Sequence, residues 1–175
     1  MALTRSDFQS VVEEHGPALY RLAYRLVGDA HDAEEMVQET LRSAWTSRDR
    51  FDETRGQRAW LASILRRRVV DRWRRVGRRP SVAGGEHVLD FPVEGVDPLS
   101  DEYTDEMQRA LDLLPDDMRE ALLMVVVGEL THQEAADALD APLGTILSRV
   151  SRARNRLRSN LQSIMAGESS VTATD

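Results

Sequence analysis

The chain has 175 residues, enough for one ordinary domain or two small ones, with 23 Arg, no Lys, 30 acidic residues and a net charge of −7. It has no cysteine, which excludes a disulfide framework and a thiolate metal site. It also shows no start of signal-peptide shape and no apolar run near the roughly 20 residues that span a bilayer, so a soluble, cytoplasmic protein is expected. From the N-terminus, Ser6 to Gln9 has the form of a capping box. Phe8, Val11, Val12, Leu19, Leu22, Ala23 and Leu26 then recur at helical spacing, with His15-Gly16-Pro17 expected to kink or split the helix. Gly28 marks a break and Asp29 is a good N-cap for a helix over Ala30 to Trp45. Its buried side takes Ala33, Met36, Val37, Leu41, Ala44 and Trp45, the last assigned to the core. Asp32, Glu35, Gln38, Glu39 and Arg42 form the outer face, which periodicity alone reads as a solvated acidic surface.

Ser47 to Gln57 is polar and turn-rich, and reads as a loop. Gly56 to Gly77 is a basic helix with Trp60, Leu61, Ile64, Val69 and Trp73 as apolar anchors. Eight arginines between 66 and 79, among them Arg66, Arg67, Arg72 and Arg75, stand on this helix and its end against the single Asp71. Such a density either faces phosphates or repels itself in solvent. Trp60 fits two roles equally: a flat stacking surface for an unstacked base, or a core tryptophan. Pro80, Gly84, Gly85, Pro92, Gly95 and Pro98 break helical patterning, and eight acids with no Arg fall between Pro80 and Glu106. Residues 80–103 are therefore read as a flexible acidic linker.

Met107, Ala110, Leu111 and Leu114 resume the helical pattern, and Pro115 starts a helix to Val127 whose apolar run centres a second domain. Thr131 and Glu134 form a capping box that starts a short helix, and Pro142 suits the first position of the next. On that last helix Ile146, Val150, Ala153, Leu157 and Leu161 make a buried stripe, while Thr145, Ser148, Arg149, Arg152 and Arg156 line an outward face. Hydroxyls and guanidinium forks on one helix face suit major-groove reading and phosphate clamping; a solvated basic helix closing a bundle has the same pattern. The helix is expected to fray after Arg158, leaving 166–175 as a disordered tail. Charge is segregated along the chain: +4 over residues 1–79, −14 over 80–148 and +5 over 149–165. Positive charge thus sits in two helices despite the acidic total.

PLGTILSRVSRARNRLR after a helix carrying QEAADAL resembles region 4 of the extracytoplasmic-function (ECF) group of bacterial RNA polymerase sigma factors. DAEEMVQETLRSAW is similar to region 2.2 of the same family, and WLASILRRRVVDRWRR to its regions 2.3 and 2.4. The resemblance covers about residues 5 to 79 and 104 to 160. It implies an all-α protein of two small helical domains: a three- to four-helix region 2-like bundle over 1–79, and a region 4-like helix-turn-helix domain over 104–165. It further implies that Asp32, Glu35, Gln38 and Glu39 contact core RNA polymerase. Trp60, Arg66, Arg67, Arg72 and Arg75 would then read and melt the minus-ten element, while Thr145, Ser148, Arg149, Arg152 and Arg156 read the minus-thirty-five element. The Ser47–Gln57 loop fits base capture in the family and a plain connector equally.

Three residues depart from the family's pattern. Asp140 replaces the usual turn glycine, which Asp can do because its short side chain tolerates a left-handed backbone. Arg67 replaces a usual Asn, and Leu147 replaces a usual Lys or Arg. Promoter DNA and core RNA polymerase are the implied partners, an inhibitory anti-sigma protein is a further one, and the free chain is expected to be a monomer. No GxxxxGK[ST], GxGxxG, GxSxG or HExxH occurs, so neither a cofactor, a metal nor an enzymatic activity is expected. The competing reading is a stand-alone dimeric helix-turn-helix regulator, with residues 1–79 as sensor or dimerisation domain.

Overall fold

The computed structural model describes residues 3–76 and 105–171, with side chains as far as 167; the expected linker at 80–103, Arg78, Arg79 and residues 172–175 lie outside the described residues. The first helix, α1 (Arg5–Val27), starts one capping box earlier than its sequence suggests. The Thr4 hydroxyl accepts from the Asp7 amide at 3.2 Å while the Asp7 carboxylate accepts from the Thr4 amide at 3.0 Å, which leaves Ser6 inside the helix. Pro17 does not split α1. Its ring removes one backbone bond, but Val11 before it and Leu19, Leu22, Ala23 and Leu26 after it are all buried on one side, so packing holds the helix continuous.

Gly28, at φ 76°, ends α1 with its amide donating to the Tyr24 carbonyl at 2.7 Å, and Asp29 caps α2 (Ala30–Ser47) as expected. The Ser47–Gln57 stretch is two 3-10 turns, Arg48–Arg50 and Glu53–Arg55, leading into α3 (Gln57–Val76). Trp45 is not a core residue. It is half-buried at the edge of α2, with Phe8 meeting it edge-on at 5.2 Å and the Arg48 guanidinium lying 4.1 Å over its ring. Ala33, Met36, Thr40 and Ala44 fill the core side instead.

The second half comprises α4 (Asp105–Asp112), α5 (Asp116–Val126), α6 (His132–Leu139) and α7 (Leu143–Val171). Among the described residues the fold is all-helical. Helices α1, α2 and α3 pack together, α4 to α7 form a second bundle, and α1 against α5 and α3 against α6 join them. One apolar cluster runs from Val11 in α1 to Ala153 in α7 without a gap between the halves. Helix α7 does not fray after Arg158; it continues to Val171. The Asn160 amide donates to the Ala110 carbonyl at 3.0 Å, tying the extension to α4.

Polar groups stitch the contact between the halves. Arg119, in α5, is fully buried. Its Nη2 donates to the Leu26 carbonyl at 3.2 Å, one of the acceptors that every helix C-terminus leaves without an intrahelical partner, and its Nη1 pairs with Asp112 at 3.2 Å. The Trp73 ring centroid of α3 lies 5.8 Å away. Alongside, Arg25 donates to the buried Gln108 side chain at 3.0 Å. Gly128, following α5, abuts α1: an added Cβ would sit 2.6 Å from the Met124 carbonyl oxygen and 3.2 Å from Leu22 Cδ2. Nearer the rim, Arg66 of α3 meets Glu120 of α5 at 3.4 Å, and Arg58 meets Glu129 at 3.0 Å. Burial pushes the Glu120 carboxyl up from its ordinary value, and the neighbouring Arg66 offsets this only in part.

Two outcomes follow from this interface. Arg119→Ala removes the side-chain donor to the Leu26 carbonyl and leaves Asp112 with the Gln108 amide but without its guanidinium partner; this should cost about 2–3 kcal/mol, read as a lower urea midpoint, and an unchanged midpoint would show that the guanidinium contributes nothing. A carboxyl whose pKa is higher folded than unfolded favours the folded state most when protonated, and that contribution disappears as pH rises through the folded pKa. Glu120→Gln should therefore gain stability relative to the unsubstituted chain as pH is raised from about 4.5 towards neutrality, measured by urea unfolding at a series of pH values.

Candidate polymerase and nucleic-acid interfaces

The helix-turn-helix forms as the sequence predicts. The Thr131 hydroxyl accepts from the Glu134 amide at 3.2 Å and the Glu134 carboxylate accepts from the Thr131 amide at 2.8 Å. Asp140 takes the left-handed conformation, φ 50° and ψ 50°, with its amide donating to the Ala136 carbonyl, so the chain turns there without glycine. Ile146, Val150 and Ala153 are buried and set the rotation of α7 about its axis. That rotation leaves Arg152 and Arg156 exposed and Thr145, Ser148 and Arg149 half-exposed.

The five residues of this face are not equally available. Arg152 bonds back to its own helix, donating to Ser148 Oγ at 2.9 Å and to the Ser148 carbonyl at 3.3 Å. Arg149 Nε pairs with Asp117 of α5 at 3.2 Å, so one of the three arginines is neutralised by a carboxylate of its own half. Asp117 is half-exposed, and a surface pair of this kind contributes at most about 1 kcal/mol, little enough for a phosphate to displace.

In the first half the two sets of candidate residues meet. Arg72 of α3, assigned by its sequence context to DNA, bonds to both Asp32 and Glu35 of α2, assigned to polymerase; its Nη1 lies 3.0 Å from Glu35. Burial works against the charge on Arg72, yet bonding to Asp32 and attraction from both carboxylates outweigh it, so its pKa rises above that of ordinary arginine. Gln38 accepts weakly from Arg42 at 3.5 Å, and Glu39 is half-buried with its backbone carbonyl taken by Ser43. Of the remaining α3 residues, Arg67 and Arg75 are exposed, each donating to a carbonyl of its own helix at 3.3 and 3.4 Å. Arg66 faces Glu120 across the joint. Trp60 divides its surface between the two roles its sequence allowed: it packs against the core and against buried Phe51, 4.8 Å between ring centroids, but is half-exposed.

Arg119 lies in ALDLLPDDMREALLM, which resembles the family's region 4.1, but its burial and its bond to the Leu26 carbonyl were not foreseen from sequence. Its signal was available, because it lies three and four positions before Leu122 and Leu123 and so shares their apolar face. Arg68, one of the eight arginines counted on α3, has a tie that was not foreseen either: it donates to Ser43 Oγ at 2.7 Å and joins α3 to α2.

The description of Sigma-70 region 2 matches residues 11–79, and that of Sigma-70 region 4 matches residues 104–157. The ECF RNA polymerase sigma factor SigE of Mycolicibacterium smegmatis is 34% identical over 172 residues, covering 95% of this chain and 65% of that protein's length. SigW of Bacillus subtilis, also an ECF RNA polymerase sigma factor, is 30% identical over 170 residues and 90% of each chain. Among solved structures, the sigma factor RpoE in complex with the anti-sigma factor NepR from Bartonella quintana superposes with a TM-score of 0.73 at 31% identity, covering 90% of this chain and 98% of that one. A stand-alone regulator gives no reason for a region 2 match ahead of the helix-turn-helix. Two sigma regions in order, set on the two bundles just described, place the chain in the ECF group of RNA polymerase sigma factors, proteins that bind core RNA polymerase and direct initiation at specific promoters.

Proposed function

We propose that the chain works as a two-point clamp on promoter DNA whose two points are folded together when it is alone. In this reading α2 offers Asp32, Glu35, Gln38 and Glu39 to core polymerase. Trp60, Arg66, Arg67, Arg72 and Arg75 of α3 engage and melt the minus-ten element. Thr145, Ser148, Arg149, Arg152 and Arg156 of α7 hold the minus-thirty-five element. The observation that carries this reading is the contact between the halves. The two elements are roughly 25 base pairs apart, about 85 Å of B-form DNA at 3.4 Å per step, whereas the 20-residue α3 measures about 30 Å and packs directly on α6. Halves in contact cannot span that distance. Binding both elements requires them to part, which breaks Arg66–Glu120, Arg58–Glu129 and the Arg119 bond to Leu26.

Polymerase supplies that separation. Docked on it, each half binds its element at the high effective concentration set by the other, so two weak contacts become one specific one. Free, with a net charge of −7 and Arg66, Arg72 and Arg149 already paired, the chain binds DNA weakly. An anti-sigma protein would act by holding the closed arrangement, a reading supported by the similarity to a sigma factor in complex with NepR. The role is non-enzymatic and cytoplasmic, where polymerase works; no helix among the described residues is long and apolar enough to cross a membrane. In run-off transcription with purified core polymerase, the full chain should initiate at discrete start sites, and Arg152→Ala with Arg156→Ala should reduce that output about tenfold or more through lost phosphate and base contacts. Unchanged output from the double variant would remove α7 from DNA recognition.

A further inference from the structure

The first two turns of α7 differ in chemistry from the two that follow. Leu143 is 39% exposed and Leu147 48% exposed, one turn apart on the same side, and Gly144 between them has no atom within 4 Å of where its Cβ would be. Thr145 and Ser148 flank them with hydroxyls, and no charged side chain occurs from Ala141 to Ser148. Five arginines and no acid follow between 149 and 165. A recognition helix meets base edges with its N-terminal residues and phosphates with the rest. The apolar tip therefore falls where bases are read, and the arginines where charge is needed.

From this geometry we infer that Leu147 is a specificity-determining residue of the upstream element, reading a thymine through its C5-methyl group. The inference rests on α7 being the upstream-element reader. An isobutyl side chain offers no hydrogen bond to guanine or cytosine, but it can cover the one apolar group that base pairs display in the major groove. The bare surface at Gly144 lets the helix approach closely enough for that contact. In solution the same leucine remains half-exposed, a cost that contact with the methyl group recovers. The family's usual Lys or Arg at this position would favour guanine, whose O6 and N7 both accept. The departure at Leu147 thus changes which base is preferred.

The test uses the full chain with core polymerase and a promoter library randomised over the upstream element, transcribed in vitro and sequenced. The unsubstituted chain should enrich a thymine at one position, Leu147→Ala should lose that enrichment, and Leu147→Arg should shift it to guanine. Replacing that thymine by deoxyuridine, which removes only the methyl group, should lower initiation about fourfold for the unsubstituted chain, the effect of one methyl group left in water, and leave the Leu147→Ala variant unaffected. The same base preference in all three proteins, or no response to deoxyuridine, overturns the inference. A uniform fall at every promoter with Leu147→Ala also overturns it, by assigning Leu147 to a protein contact. If the unsubstituted chain fails to initiate at all, it is the sigma reading that fails. Position 147 is exposed, and the circular dichroism of each variant verifies that it folds.

Discussion

A guanidinium buried among helices decides how the halves of this molecule relate. Arg119 reaches from α5 to the carbonyl of Leu26 at the C-terminal end of α1, where the helix dipole is negative and backbone acceptors lack partners. Such an end would be costly to bury against leucines alone. Capped by a charged donor, it can be covered by the second half, and Leu22 and Leu26 join a core that continues through Leu122 and Leu123. The arrangement also makes the joint separable. Polar groups that find each other across an interface find water when it opens, so parting the halves exposes a smaller apolar penalty than a joint of the same size made wholly of hydrocarbon. Arg25 with Gln108, and Arg66 with Glu120, extend the same design outward.

The acidic and basic segments so distinct along the chain are interleaved in space. Glu120 and Glu129 come from the negative stretch and face Arg66 and Arg58 from the positive one; Asp32 and Glu35 face Arg72. The molecule's own carboxylates occupy Arg66 and Arg72, two of the arginines proposed above to engage DNA. Arg67, Arg75, Arg152 and Arg156 are exposed; the first three bond to carbonyls or hydroxyls of their own helices, and Arg156 meets no carboxylate among the described residues. An encounter with DNA would begin with these exposed side chains, which sit on separate bundles.

How much of this was legible beforehand follows from the range of the interactions involved. The helix-turn-helix was readable in detail because its determinants are local: a capping box over Thr131–Glu134, an Asp able to take φ 50° at 140, and a stripe at helical spacing from Ile146. The break at Gly28-Asp29 was readable for the same reason. Trp45 was misplaced because periodicity assigns a side, not a depth, and the position lies at the rim of α2 beside Phe8. Beyond Arg158, α7 is tied by a bond from Asn160 to a carbonyl 50 residues earlier, which local pattern does not carry. Candidate residues on α3 were identified as basic, but their pairing with α2 and α5 depends on how three helices cross. The contact between the halves was not anticipated at all: an acidic segment between two patterned regions reads as separation, whereas Arg119, Gln108 and Arg25 hold them together.

With no lysine in the chain, the ion pairs described between the halves, Arg58–Glu129 and Arg66–Glu120, both end in a guanidinium, and a guanidinium keeps its proton at any pH in which a cell survives. Alkalinity therefore leaves these ties alone, and ionic strength becomes the variable that grades them. Mobile ions screen charges over about 8 Å at 0.15 M, acting first on pairs that water can reach. The half-exposed pair Arg58–Glu129 loosens earliest, Arg66–Glu120 with its largely sequestered carboxylate follows, and the anchor at Arg119, closed to solvent, yields last. Salt would thus unfasten this hinge from its margin inward.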